Sequence, residues 1–274
     1  MGGNREPCGA NHRGHSVIKA DERREEIAEY VIKLGQVRID DLVEHFGVSR
    51  MTIHRHIDQL AHQGVLRKLH GAVTVQPSGL YESAFRYRVT VGRAEKDALA
   101  RAAMDYIEPG QAVILDDSTT ANAVAPLLLE VKPLTVITNS VSTAALLTNV
   151  DDIDFICLGG QYHRTYNAYI GIVCENAISR LRANLLICSA SAINGTTAFI
   201  QDQHVVRVKQ AMMAAAIKRV LLVDHTKFDK VALHVLDDLT SFEAVLVTDG
   251  ISDKHAQKLE QAGVQLRVVN TARS

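Results

Sequence analysis

Arg50, Met51, Thr52, His54, Arg55 and Gln59 lie close together on a stretch where Ile53, Ile57 and Leu60 recur at i, i+4 and i+7. That stripe is the inward face of a helix, so Met51, Arg55, Asp58 and His62 turn to the opposite face, with Thr52, His54 and Gln59 flanking it. An arginine and short polar groups at the N-terminal half of an exposed helix suit a DNA major groove. Arginine reaches guanine edges, Thr and Gln reach bases or phosphates, and the helix N-terminus meets a phosphate. Arg67, Lys68 and His70 follow on two short extended runs around Gly71, placed to touch the backbone or minor groove. Between Val48 and Val75 the charges are Arg50, Arg55, Arg67 and Lys68 against Asp58 alone, with His54, His56, His62 and His70 added. This is the electrostatic footprint of a nucleic-acid reader; a small dimerisation module with a solvated basic face is the bland alternative. Histidine charges near neutral pH, so with His54 and His56 in this stretch DNA binding is expected to tighten as pH falls from about 8 to about 6.

A second group of residues suits anion and hydroxyl recognition. The apolar run Ala112–Leu115 leads into Asp116-Asp117-Ser118-Thr119-Thr120 and then into a helical stretch. A strand ending in small hydroxyl residues at a helix N-terminus presents N–H groups, hydroxyls and the helix dipole to a phosphate, although Ser and Thr are also ordinary helix caps. Other apolar runs end in Thr138-Asn139-Ser140, Gly159-Gly160-Gln161-Tyr162, Ser189-Ala190-Ser191 and Asp224-His225-Thr226-Lys227-Phe228. In a parallel sheet these ends share one rim, where ligands bind. Asp116 or Asp117 is suited to accept hydroxyl hydrogen bonds, and Lys209 and Lys227 to balance a phosphate.

The elements that must position these groups follow from composition and periodicity. The 274 residues are 47% hydrophobic, which supports a buried core and excludes disordered or low-complexity classes. Net charge is −1, so a bulk basic coat is excluded. The charge is unevenly placed: residues 1–92 hold 13 Lys and Arg against 11 Asp and Glu, while residues 93–274 hold 17 against 20. The cysteines Cys8, Cys157, Cys174 and Cys188 include no CxxC pair, and a disulfide framework or metal site is not expected. Cys157 and Cys188 sit in apolar runs and are expected to behave as small hydrophobes. No signal core or long apolar run occurs, which leads to the expectation of a soluble cytoplasmic protein with no membrane partner.

Residues 1–20 show no periodicity and are expected to be a disordered tail. A helix from an Asp21 cap to Gly35, with Ile27, Val31 and Leu34 on its core face, a second over about 39–46, a third from a Ser49 cap to about 63, and a strand pair around Gly71 describe a winged helix-turn-helix over 21–75. Residues 76–92 read as a linker. From 93 to 274, apolar runs at 112–116, 134–138, 154–158, 185–189, 220–224, 244–248 and 265–269 alternate with helices at about 93–107, 120–130, 141–148, 171–181, 203–217 and 252–262. That alternation signals an α/β domain with a mostly parallel sheet.

Arg23-Arg24, Leu42, Phe46-Gly47-Val48-Ser49, Thr52-Ile53, Arg55, Leu60, Gly64-Val65-Leu66-Arg67 and His70-Gly71 resemble the N-terminal domain of the DeoR family of bacterial transcriptional regulators. Leu115–Thr120, Leu134–Ser140, Leu158-Gly159-Gly160, Gly171, Val208–Met212 and Leu222–Phe228 resemble that family's sensor domain, in the family's order. The resemblance implies a sensor fold similar to ribose-5-phosphate isomerase, a phosphorylated sugar as effector, no cofactor, double-stranded operator DNA as partner, and a homodimer or homotetramer. The implied effector residues are Asp116, Asp117, Ser118, Thr119, Thr120, Asn139, Gly159, Gly160, Lys209, Asp224 and Lys227. Three departures stand out. His54-Arg55-His56 replaces the usual Arg-Arg-Asp, Ala72 stands where the family has a second glycine, and Asp117-Ser118-Thr119-Thr120 replaces Ser-Gly-Thr-Thr, a change suited to alter sugar choice. An isomerase would need a carboxylate base, and in the isomerases resembling this fold acids follow the fourth strand. The stretch 184–194 holds no Asp or Glu, so a regulator, typically a repressor, is expected over a sugar-phosphate isomerase fused to a DNA-binding module, or over a vestigial pocket on a dimerisation domain.

Overall fold

The computed structural model describes residues 23–75, apart from 25, 29, 33 and 63–65, and residues 85–271. The expected tail at 1–20, the Asp21 cap and residues 76–84 of the expected linker lie outside the described residues. The chain divides into two compact units, residues 1–83 and 84–274.

In the first unit, residues 23–34 are helical wherever described (α1). They are followed by β1 (Gln36–Arg38), α2 (Ile39–Phe46), α3 (Arg50–His62), β2 (Leu66–Leu69) and β3 (Ala72–Val75). Gly47, at φ 60°, ends α2 in the left-handed conformation that glycine adopts without strain, and its N–H donates to the Val43 carbonyl. Ser49 caps α3: its Oγ accepts from the Thr52 N–H at 3.2 Å. Ile27, Val31, Leu42, Ile53, Ile57, Leu60, Leu66 and Val73 meet in one core. Leu34, expected on the core face, is instead exposed, because it is the last residue before α1 breaks at Gly35. The strands form an antiparallel sheet in the order β1-β3-β2. At three residues, β1 is too short to show alternation, and sequence periodicity missed it.

The second unit begins with α4 (Phe85–Thr90), a helix inside the stretch assigned to a linker. Its Phe85 N–H donates to the Thr165 carbonyl at 3.0 Å, and Arg88 donates to the same carbonyl at 3.2 Å. After α5 (Arg93–Ala103) come β4 (Ala112–Leu115), α6 (Thr119–Asn122), β5 (Leu134–Thr138), α7 (Val141–Leu147) and β6 (Ile153–Cys157). The hairpin β7 (Gln161–His163) and β8 (Ala168–Ile170) leads to α8 (Ile172–Ser179) and β9 (Ala183–Cys188). Then follow β10 (Ala192–Asn194), β11 (Thr197–Ile200), α9 (Gln203–Ala215), β12 (Ala216–Val223), β13 (His234–Asp238), β14 (Ala244–Thr248), α10 (Asp253–Gln261) and β15 (Leu266–Val269). The helix expected over 120–130 is split, with a 3-10 turn over Ala125–Glu130 that carries Pro126, a residue without a backbone N–H.

Seven strands form a parallel sheet in the order β15-β14-β12-β9-β4-β5-β6. Both faces are covered, by separate apolar cores, as the continuous apolar character of the strands requires. The chain leaves β4 outward through β5 and β6, then returns to lay β9 on the other side of β4. The β4/β9 boundary is therefore the topological switch point, where the two strand ends diverge and leave a crevice. Cys188 is buried, but Cys157 is exposed because β6 is the edge of the sheet. Among the described residues, no helix is long and apolar enough to cross a membrane.

Candidate functional site

Asp116 is fully buried at the switch point, and its side chain is filled. Oδ1 accepts from the Ser118 N–H at 2.9 Å and the Ser118 hydroxyl at 2.5 Å. Oδ2 accepts from the Ser189 N–H at 3.0 Å and from the buried ammonium of Lys209, which also donates to the Ser189 carbonyl at 3.2 Å. The clasp ties the end of β4 to the end of β9. The two carboxylates beside Lys209 push its pKa up despite the opposing effect of burial, the largest single influence. Ser118 Oγ also accepts from the Ala121 N–H at 3.1 Å and so caps α6. Three of the residues expected to face an effector, Asp116, Ser118 and Lys209, thus have their polar groups engaged with one another or with backbone. Lys209 neutralises carboxylate rather than standing ready for a phosphate.

Asp117 is different. It is 2% exposed, its Oδ1 has no hydrogen-bond partner, and the Lys209 ammonium is 3.8 Å away. Burial pushes its pKa up, Lys209 opposes that, and Asp116 reinforces it. Thr119 and Thr120 follow, both buried. On the neighbouring strand, Asn139 donates from Nδ2 to the Tyr169 carbonyl at 3.0 Å, while its buried Oδ1 has no partner. Asn122, which sequence reading did not single out, braces the two strand ends. Its Oδ1 accepts from the hydroxyls of Ser140, at 2.8 Å, and of Thr143.

The two glycines expected to line the site divide. Gly159 is exposed, with open space where a Cβ would stand. At Gly160 a Cβ would come within 2.7 Å of the Ile170 carbonyl oxygen, so this glycine serves the close approach of β8. Asp224 caps the turn 225–227, accepting from the Thr226 N–H at 3.0 Å, and Lys227 is half-buried beside it.

Sequence reading missed the cations that surround Lys227. Lys96, on α5, donates to the carbonyls of Arg88 and of Val91, the latter at 2.6 Å, and so latches the end of α4. Its pKa is pushed down to about 8, by burial first and then by the Lys227 charge, with Arg88 adding to the repulsion and Asp224 opposing it. Lys230 is lowered by burial and by Lys227 in the same way. The Arg88 guanidinium, 5.4 Å over the Tyr166 ring, also acts on Asp117. Four cations from three parts of the chain therefore crowd one corner of the rim. The signal was weak because Arg88 lies in the stretch taken for a linker, and Lys96 on an ordinary amphipathic helix. A cleft of about 220 Å³ lined by Asp105, Gln111, Asn184 and Lys218 opens at the other edge of the sheet, where the strands begin, away from these polar ends.

In the first unit, Met51, Arg55, Asp58 and Gln59 are exposed along α3, Met51 at 82%, with Thr52 and His54 half-buried beside them. Arg50 pairs with Asp40 at 3.1 Å and Lys68 pairs with Asp58, both at the surface where such pairs hold weakly and exchange readily for a phosphate. Arg67 and His70 are exposed on the β2–β3 wing. His56 is corrected: at 1% exposed it faces the core, so it is no part of the basic surface and gives no ground for a pH effect there. His62's side chain lies outside the described residues.

The family model described as a DeoR-like helix-turn-helix domain matches residues 23–78, and the one described as a DeoR C terminal sensor domain matches residues 92–250. The glycerol-3-phosphate regulon repressor of Escherichia coli (strain K12) is 31% identical over 229 residues, 83% of this chain and 90% of that protein. The L-fucose operon activator of Haemophilus influenzae is 29% identical over 240 residues, 87% of this chain and 96% of that protein. Among solved structures, a D-ribose-5-phosphate isomerase in complex with phospho-erythronic acid is a loose likeness, with a TM-score of 0.38 at 15% identity over 50% of this chain and 54% of that one.

Proposed function

The chain belongs to the DeoR family of transcriptional regulators, and from that premise we propose that it is a repressor of carbohydrate-metabolism genes whose hold on double-stranded operator DNA is set by a phosphorylated sugar. On this reading Met51, Thr52, His54, Arg55 and Gln59 meet base edges, and Arg50, Arg67, Lys68 and His70 meet the backbone. Each subunit reads one half-site, and the assembly is a homodimer or homotetramer. The observation that carries the effector half is the crowd of Arg88, Lys96, Lys227 and Lys230, which Asp224 and the more weakly acting Glu95 do not offset at Lys96, whose pKa is pushed down to about 8. Such mutual repulsion is relieved by a bound phosphate. Asp117, Thr119, Thr120 and Asn139 then face the sugar.

Repression is supported by the regulatory direction in the E. coli relative's name, and binding without turnover by the absence of an acid between Ser189 and Asn194. The test selects bound duplexes from a random library with the full chain. It then titrates sugar phosphates into the protein–duplex complex while assaying each sugar for conversion. A sugar phosphate that releases the duplex unconsumed supports the reading. Conversion of the sugar, or a duplex held equally with every candidate, refutes it.

A further inference from the structure

Asp117 and Asn139, just beyond the ends of β4 and β5, leave two buried oxygens that accept no hydrogen bond. Asp117 Oδ1 and Asn139 Oδ1 are both without a hydrogen-bond partner, on strand ends that pair in register through Leu115 and Thr138. The Asn139 amide cannot be turned to remove the deficit, because its Nδ2 already faces the Tyr169 carbonyl at 3.0 Å and an oxygen there would oppose an oxygen. Lys209 does not fill Asp117 either: its hydrogen bonds go to Asp116 and Ser189, and it stands 3.8 Å from Asp117. Asp116, Asp117 and Lys209 place two carboxylates against one ammonium below solvent reach. Buried acceptors are satisfied in the great majority of folded proteins, and an unfilled pair on adjacent strand ends awaits a donor.

We infer that Asp117 and Asn139 form the specificity end of the effector site, taking a ligand segment that presents two hydrogen-bond donors, hydroxyl or ammonium, while the phosphate lies toward the cations at the other end. This rests on the effector reading above and names which part of the ligand is discriminated. Asp117 is also where this chain departs from the Ser-Gly-Thr-Thr pattern it otherwise resembles, so the discrimination belongs to this chain.

The experiment compares the full chain with Asp117→Ser and Asp117→Asn, by isothermal titration with glucose 6-phosphate, glucosamine 6-phosphate, 2-deoxyglucose 6-phosphate and inorganic phosphate, and by thermal unfolding without ligand. The wild type is expected to prefer the donor-bearing sugars over the deoxy sugar by about tenfold or more, and Asp117→Ser to lose that preference while still binding inorganic phosphate. Asp117→Asn keeps the acceptor and removes the charge. It spares glucose 6-phosphate if the donor is a hydroxyl and weakens glucosamine 6-phosphate if it is an ammonium. Without ligand, Asp117→Ser is expected to unfold at a higher temperature, since it removes an unfilled buried acceptor. A lower unfolding temperature, or an unchanged ranking of the sugars, overturns the inference. A wild type that binds neither the three sugars nor inorganic phosphate instead counts against the phosphate site of the effector reading, and the unfolding comparison then decides the role of Asp117.

Discussion

Adjacent residues of one type can hold opposite roles, and Asp116 and Asp117 do. Asp116 accepts four hydrogen bonds and closes the β4–β9 junction, while Asp117 keeps an unfilled oxygen. The pair was legible in the sequence as a polar strand end. Which carboxylate was filled was not, because Ser189 and Lys209 reach it from 73 and 93 residues away. Lys96 permits a signed prediction. Its pKa is lowered from 10.5 to about 8, so between those values the unfolded chain holds more protons than the folded one, and stability should rise with pH through that window. A bound phosphate favours the charged lysine, so phosphate affinity should fall as pH rises past about 8. Isothermal titration with inorganic phosphate at pH 8 and pH 10, where phosphate stays largely dianionic, checks this: Lys96→Met should bind more weakly with a shallower fall, and an equally steep fall would place the titration elsewhere. In the first unit, Arg55→Ala should weaken the selected duplex by about 1–3 kcal/mol while sparing random DNA. Equal weakening of both would make Arg55 a phosphate contact.

At the scale of elements, hydrophobic periodicity located the strands and helices that carry a long apolar pattern. All seven expected strands of the second unit appear in the parallel sheet, and α2 and α3 lie where their glycine and serine boundaries put them. What escaped has a common cause. β1, the β7–β8 hairpin and β10 have three residues per strand, the four-residue β11 folds back on β10, and β13 joins β11 from about 40 residues away, so no local period exposes them. α4 was taken for a linker because a six-residue helix carries less than two turns of pattern. His56 was taken for surface because histidine is usually polar, whereas its position beside Ile57 sends it inward. The α3 stripe itself is a test of the element. Ile57 is fully buried in a core of few side chains, and Ile57→Ala should cost about 2–5 kcal/mol. Circular dichroism melting and duplex binding should both fall. Sugar-phosphate binding should persist, because the second unit has its own cores; loss of both would mean the units unfold as one.

For the whole molecule, a net charge of −1 conceals a local basic surface: the two units are near balance, and the excess lies between Val48 and Val75, where Arg50, Arg55, Arg67 and Lys68 stand against Asp58 alone. The basic side chains are placed where phosphate is expected: on α3 and its wing in the first unit, and around Lys96 in the second. Two binding units in one chain of the DeoR family imply linkage. If a sugar phosphate weakens the hold on DNA by some factor, DNA must weaken the hold on the sugar phosphate by the same factor, typically about 5–150-fold. That equality is the central claim in measurable form. Isothermal titration of the releasing sugar phosphate, with and without saturating selected duplex, should give the same factor as duplex titration with and without the sugar phosphate. Equal factors well above one are the predicted result. A sugar phosphate bound with unchanged affinity in the presence of the duplex would contradict the account.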